Sequence, residues 1–159
     1  MSDLVTVRHG TSNAFRVEIE DHGLRARPGL TRGVRVAFAR ELALAHAAGY
    51  CAYLMLTEQL PPKALIATAT IERSRIREGA EKNPLAGMGF GLNNAPVVGP
   101  ALVVPGGIRK EEIKLDEVEM KWLLDPEAGR RALAIYERLT DKKITIQPER
   151  PGGRGRMRR

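Results

Sequence analysis

Aromatic side chains are scarce in this chain. Phe, Tyr and Trp make up 4% of its 159 residues, so a core has to be filled mainly by Ala, Leu, Val and Ile. Cysteine occurs once, as Cys51, which excludes an intrachain disulfide. Set in an apolar stretch, a lone cysteine reads as a small buried apolar residue. Histidine occurs three times, at His9, His22 and His46, never at metal-ligand spacing from another His or from the Cys. No serine sits in a nucleophile-elbow context. The expectation is a protein with no metal, no cofactor and no catalytic residue, hence not an enzyme. A membrane span needs about 20 consecutive apolar residues. The stretch Leu42–Leu56 falls short of that and carries His46 in its middle, so no membrane partner is expected. The first residues are polar and strand-like and do not read as a secretory leader.

Charge is present but unevenly placed. The formal net charge is +7. Residues 1–60 hold seven Lys/Arg and six Asp/Glu, residues 61–141 hold twelve of each, and residues 142–159 hold seven basic residues against one acid. The basic character therefore belongs to the C-terminal end, while the rest is balanced. A protein that lays its body on nucleic acid usually carries a basic face there. The pattern predicts one globular domain over residues 1–147 and a basic Arg/Gly tail over 148–159. Arg150, Arg154, Arg156, Arg158 and Arg159 stand in a stretch with almost nothing apolar to bury, so its composition is that of a disordered segment. The ligands expected for it are phosphates, which arginine grips bidentately, or an acidic groove on another protein.

The organising stretch is Val34–Leu60, which has few charges and no proline, and whose Ala, Leu and Met favour a helix. It reads as one helix of about 28 residues, roughly 40 Å long at 1.5 Å per residue, stopped by Pro61-Pro62. A helix apolar nearly all round has to be covered by other protein. Before it, Leu4–Arg8 and Phe15–Ile19 alternate as strands and pair as a hairpin. After it, Lys63–Lys82 places Leu65, Ala69, Ile76 and Ala80 on one helical stripe. Asn83–Gly107 holds six Gly, four Pro and no charge. It reads as a long loop, either flexible or covered by a neighbouring subunit, and in the second case Met88, Phe90, Leu92, Val97, Val98, Leu102 and Val103 are the interface residues. Gly87-Met88-Gly89-Phe90-Gly91 within it lacks the lysine and hydroxyl of a phosphate loop. Asp116, Glu117 and Glu119 suit the positive end of a helix dipole. Asp125-Pro126-Glu127 is the clearest helix start in the chain, for a helix to about Leu139. Trp122 is expected at the junction of these two helices, and Ile144–Ile146 as a short strand. The fold class expected is α+β but predominantly helical: a long central apolar helix packed by two or three others, short strands near both ends, the uncharged loop and the extended tail.

Val7-Arg8-His9-Gly10 resembles the Arg-His-Gly signature of the histidine phosphatases, the phosphoglycerate-mutase-like enzymes. Leu30-Thr31 is similar to that family's leucine-threonine turn, and Ile66–Arg73 falls where its second phosphate-binding arginine would be. The resemblance implies that His9 takes up a phosphoryl group and that Arg8 binds phosphate. The family's second His-Gly motif has no counterpart, since Leu102–Gly107 holds no histidine and none follows His46.

Balanced body, uncharged loop and basic tail together predict a non-enzymatic structural subunit of a large nucleic-acid-containing assembly. A phage virion protein, a capsid accessory or head–tail connector component, fits this pattern. Its expected partners are further subunits in a homo-oligomer, and nucleic acid through the tail; its expected location is the virion. The alternatives are a ribosomal or other RNA-binding structural protein in the cytoplasm, and a degenerate histidine-phosphatase-like protein.

Overall fold

A computed structural model describes residues 3–25, 33–82, 89–90, 95–96 and 100–140. In chain order its elements are β1 (Leu4–Ser12), α1 (Arg16–His22), β2 (Val34–Val36), α2 (Arg40–Glu58), β3 (Lys63–Glu72), β4 (Arg77–Lys82), β5 (Gly89–Phe90), β6 (Ala95–Pro96), β7 (Pro100–Val104), β8 (Ile113–Glu119) and α3 (Pro126–Thr140). The expectation of a predominantly helical fold is wrong. The fold is mixed α+β, with two three-stranded antiparallel sheets ordered β1-β3-β8 and β2-β7-β4 and a two-residue ladder of β5 with β6.

The largest correction falls on Lys63–Lys82, which forms strands β3 and β4 and not a helix. Its sequence KALIATATIE is buried on both faces. Leu65, Ala67, Ala69 and Ile71 face one core, while Ala64 and Ile66 face another. A strand covered on both sides shows a continuous apolar run, and the spacing of four from Leu65 to Ala69 fits a period of two as well as it fits 3.6. The β-branched Ile and Thr residues decide for the strand. The same competition overturns the helix expected from Asp116. There Ile113 and Leu115 alternate with charged residues, and β8 pairs with β3 from Lys63↔Glu119 to Ala69↔Ile113.

The expected hairpin also fails. β1 runs to Ser12 and pairs with β3, from Leu4↔Glu72 to Ser12↔Ala64, and Arg16–His22 is helical. Gly23, at φ 72, ends that helix, and a Cβ there would stand 2.5 Å from the Ile108 carbonyl oxygen. The central helix is real but shorter than expected. Val34–Val36 forms β2 and pairs with β7, so α2 begins at Arg40. It ends at Gln59, whose left-handed φ of 55 turns the chain before the prolines.

α2 lies between the first sheet and α3. Ala43, Ala47 and Cys51 pack on the sheet side with Ala64 and Ile66, and Ala45 packs with Ile135 and Leu139 of α3. Tyr53 stacks on Tyr136 at 4.0 Å between centroids, and Tyr50 meets the same ring edge-on at 5.6 Å. All three tyrosines thus serve the α2–α3 contact. α3 matches its expected bounds, and the Asp125 carboxylate accepts from the Ala128 amide at 3.0 Å as its cap. Trp122 does not pack at the junction. It is 54% exposed, and Met120 and Leu123 fill that place. On the far side of the first sheet, Val7, Leu65 and Ile71 close a second core with Ile19, Val36, Val104 and Ile108.

Candidate functional site

The first sheet meets β2 through one bridge. The Arg8 amide donates to the Ala37 carbonyl and the Ala37 amide to that of Arg8, both at 2.8 Å. The bridge sets His9 beside Arg35, with Nδ1 2.7 Å from the Arg35 carbonyl oxygen. A carbonyl only accepts, so Nδ1 carries the proton. The Arg35 guanidinium donates to the Leu139 carbonyl at 3.3 Å, in the last turn of α3, where a cation suits the helix dipole. His46 of α2 closes this junction. It is 4% exposed, and its Nε2 has no hydrogen-bond partner. Burial, and then the charges of Arg35 and His9, push its pKa down to about 3.

The arrangement is a polar junction between β1, β2, α2 and α3, with His46 buried and His9 and Arg35 half-buried. A histidine serving as general base needs a pKa near the working pH and a route to the proton it takes. His46 has neither. The two arginines that the phosphatase resemblance sends to phosphate are engaged elsewhere. Arg8 donates to the Phe38 carbonyl. Arg73 pairs with the Asp3 carboxylate at 3.0 Å and lies 5.8 Å above the Phe38 ring. His9 sits in mid-strand opposite Ala67, not in a turn after a strand.

Of the residues singled out in the sequence, Arg150, Arg154, Arg156, Arg158 and Arg159 lie outside the described residues, as do Met88, Leu92, Val97 and Val98. Phe90 pairs with Ala95 in the short β5–β6 ladder. Leu102 stands between Val36 and Glu78 in β7, half-buried against the second core, and Val103 stands between Arg35 and Arg77. The uncharged stretch thus includes a central strand of the second sheet, which supplies part of the chain's own core.

Two features went unread in the sequence. One is the ion pair of Arg75 with Glu112, at 2.7 and 3.1 Å, with Arg75 also donating to the Gly107 carbonyl at 3.0 Å. These bonds hold the Glu112 carboxyl down at about 2. The pair joins the turn after β3 to the turn before β8, and no local pattern reports a partner 37 residues away. The other is β8, the edge strand of its sheet among the described residues, which the acidic helix-start pattern concealed. Among the described residues no group of His, Cys, Asp or Glu is arranged to hold a metal ion, and no helix is long and apolar enough to cross a membrane. In comparisons with protein families, curated proteins and solved structures, no match to this chain was found.

Proposed function

We propose that this chain is a non-enzymatic structural subunit of a large nucleic-acid-containing assembly, in its most specific form a virion protein of a phage, and that its basic C-terminal arm meets the nucleic acid. One observation carries the reading: the division of charge between body and arm. Within the body, Arg16, Arg40, Lys63, Arg73, Arg75 and Arg131 each face a carboxylate within 4 Å. The unbalanced charge lies in residues 142–159, seven basic against one acid. An arm of this kind binds phosphates without reading base edges, because its Gly/Pro-rich sequence spaces the arginines too loosely for a recognition helix.

The experiment is nucleic-acid binding across a salt series, for the full chain and for a chain ending at Pro148. Each phosphate contact releases counterions, so the slope of log affinity against log salt is about 0.9 per contact on duplex DNA and about 0.7 on single strands. Removing the five arginines lowers the slope by about three to five units on the same relation, with the fold unchanged. Equal slopes overturn the assignment of the arm to nucleic acid.

A further inference from the structure

His46 shares one face of α2 with Leu42 and Tyr50, one turn to either side of it. Both of these pack on the cluster of Ala45, Ile135 and Leu139 that joins α2 to α3. The imidazole therefore lies in the seam between the two helices, where that seam meets β1 and β2. It is 4% exposed, and its Nε2 has no hydrogen-bond partner. The charges that act on it are those of Arg35 on β2 and His9 on β1, and both oppose the uptake of a proton. From α2 and α3 no charged group acts on it, and among the described residues no carboxylate offsets the two cations. α3 reaches the junction through the Leu139 carbonyl, which Arg35 takes.

A proton added at Nε2 puts a charge in a place without water or an acceptor, which is strongly unfavourable. The charged ring is relieved by an opening that admits water, and the walls around it differ in what holds them. β1 is tied to β3 along its whole length, from Leu4 to Ser12. β2 is tied to β7 over Val34–Val36 and to β1 by the Arg8–Ala37 bridge. α3 belongs to no ladder. Ile135 and Leu139 rest on Ala45, and Tyr136 rests on Tyr50 and Tyr53. At Gly49 the helices meet so closely that a Cβ would stand 3.0 Å from the Tyr136 amide nitrogen. A helix held by side-chain packing opens separately from hydrogen-bonded sheets. The polar tie of α3 to β2 runs through Arg35, the same cation that a charged His46 repels.

We propose that α3 is an acid-released element: a proton on His46 undocks it from α2 while the two sheets stay folded. The seam opens along Ala45, Gly49 and Tyr53. Residues 141–159 follow α3 in the chain, so undocking also shifts the point from which the basic arm starts. The release of α3 stands whether or not that arm meets nucleic acid.

In the docked state His46 is held neutral, its pKa lowered from 6.5 to about 3 by burial first and then by Arg35 and His9. In the undocked state it regains the ordinary value. Docking is therefore fully supported above pH 6.5 and weakens as the pH falls from 6.5 towards 3. Between pH 8 and pH 5 the ratio of undocked to docked chains rises about thirtyfold.

The test follows hydrogen exchange of the full chain at pH 8 and pH 5, corrected for the intrinsic rates, together with the ring signals of His46 by NMR. The amides of residues 126–140 lose about thirtyfold in protection at pH 5 and exchange ahead of those of β1 and β3. The His46 ring shows no titration midpoint near pH 6.5 in the folded chain. His46→Gln, which takes up no proton, gives α3 the same protection at both pH values. Exchange of α3 and β3 in step at both pH values overturns the proposal, because the whole chain then unfolds at once. So does a thirtyfold response that persists in His46→Gln, or a His46 ring that titrates near pH 6.5. The ring signals and the comparison of α3 with β3 are read on the parent chain, so they decide the matter even where His46→Gln does not fold.

Discussion

Gly10 is the point where the sheet and the central helix come closest, and its replacement by Ala tests the packing directly. A Cβ at Gly10 would lie 1.7 Å from the Ala43 carbonyl oxygen, 2.7 Å from its carbon and 3.1 Å from the Ala47 amide nitrogen. All three are backbone atoms of α2, so no side chain can swing aside. Ordinary contact begins at 3.4 Å, and half of that distance is missing. Either α2 lifts from the sheet or β1 bends away. A lift of even 0.5–1 Å forfeits about a quarter to a half of the dispersion energy of each contact it opens. The contacts at risk are those of Ala43, Ala47 and Cys51 with Ala64 and Ile66, all buried to 1% exposure or less. Ala is better than Gly inside regular structure by about 0.5–1 kcal/mol, which offsets little of this.

Overpacking typically costs about 1–3 kcal/mol, and the upper end applies here because the obstacle is backbone. A domain of this size loses about 2–4 °C of melting temperature per kcal/mol, so Gly10→Ala should melt about 6–12 °C below the parent. Circular dichroism melts measure this, with Gly106→Ala as control, since a Cβ at Gly106 meets nothing within 4 Å. A Gly10→Ala melt within about 1 °C of the parent would refute the direct seating of α2 on β1.

Leu54, 7% exposed on α2, should lose about 2–5 kcal/mol on truncation to Ala, whereas Trp122→Ala, at 54% exposure, should lose less than half as much; urea unfolding of the two variants decides it. His46 is neutral when folded, with its pKa depressed from 6.5 to about 3. The unfolded chain takes up a proton below pH 6.5 that the folded chain refuses, so stability falls from pH 6.5 towards 3, by about 2 kcal/mol at pH 5. Unfolding free energies at pH 7 and 5 should converge in His46→Gln relative to the parent; an unchanged difference would show that His46 is not the group responsible.

What could be read from the sequence was whatever has a local cause. α3 was legible because Asp125, Pro126 and Glu127 act within one turn of each other, and because Ala132, Ile135 and Leu139 repeat at helical spacing with no competing period. α2 was legible in its body for the same reason. Its first turn was not, because Val34 and Val36 become strand only through β7, some seventy residues away in sequence. β3 was lost because burial on both faces erases alternation: Ala64 and Ile66 are as buried as Leu65 and Ala67. Only the partners β1 and β8 distinguish such a strand from a buried helix. β8 was lost for the opposite reason. Its acids imitate a helix start, although they lie on a strand that pairs with β3, where Asp116 and Glu117 pair with Arg40 and Arg16.

The same distinction governs the candidate sites. Arg8-His9-Gly10 has a local pattern strong enough to resemble a phosphate-binding signature, yet packing accounts for each of its residues. Arg8 ties β1 to the turn before α2, His9 ties it to β2, and Gly10 leaves the space that the α2 backbone fills. Glycine after histidine, which suggests a loop around a ligand when read alone, is needed here because the sheet receives a helix. The Arg35–His46 junction and the Arg75–Glu112 pair are invisible to any local reading, since each joins residues that only the tertiary fold brings together. The basic arm is the reverse case. Its charge is legible from sequence alone, whereas the acidic run of residues 116–119 proved to be part of a strand that, among the described residues, stands at the edge of its sheet.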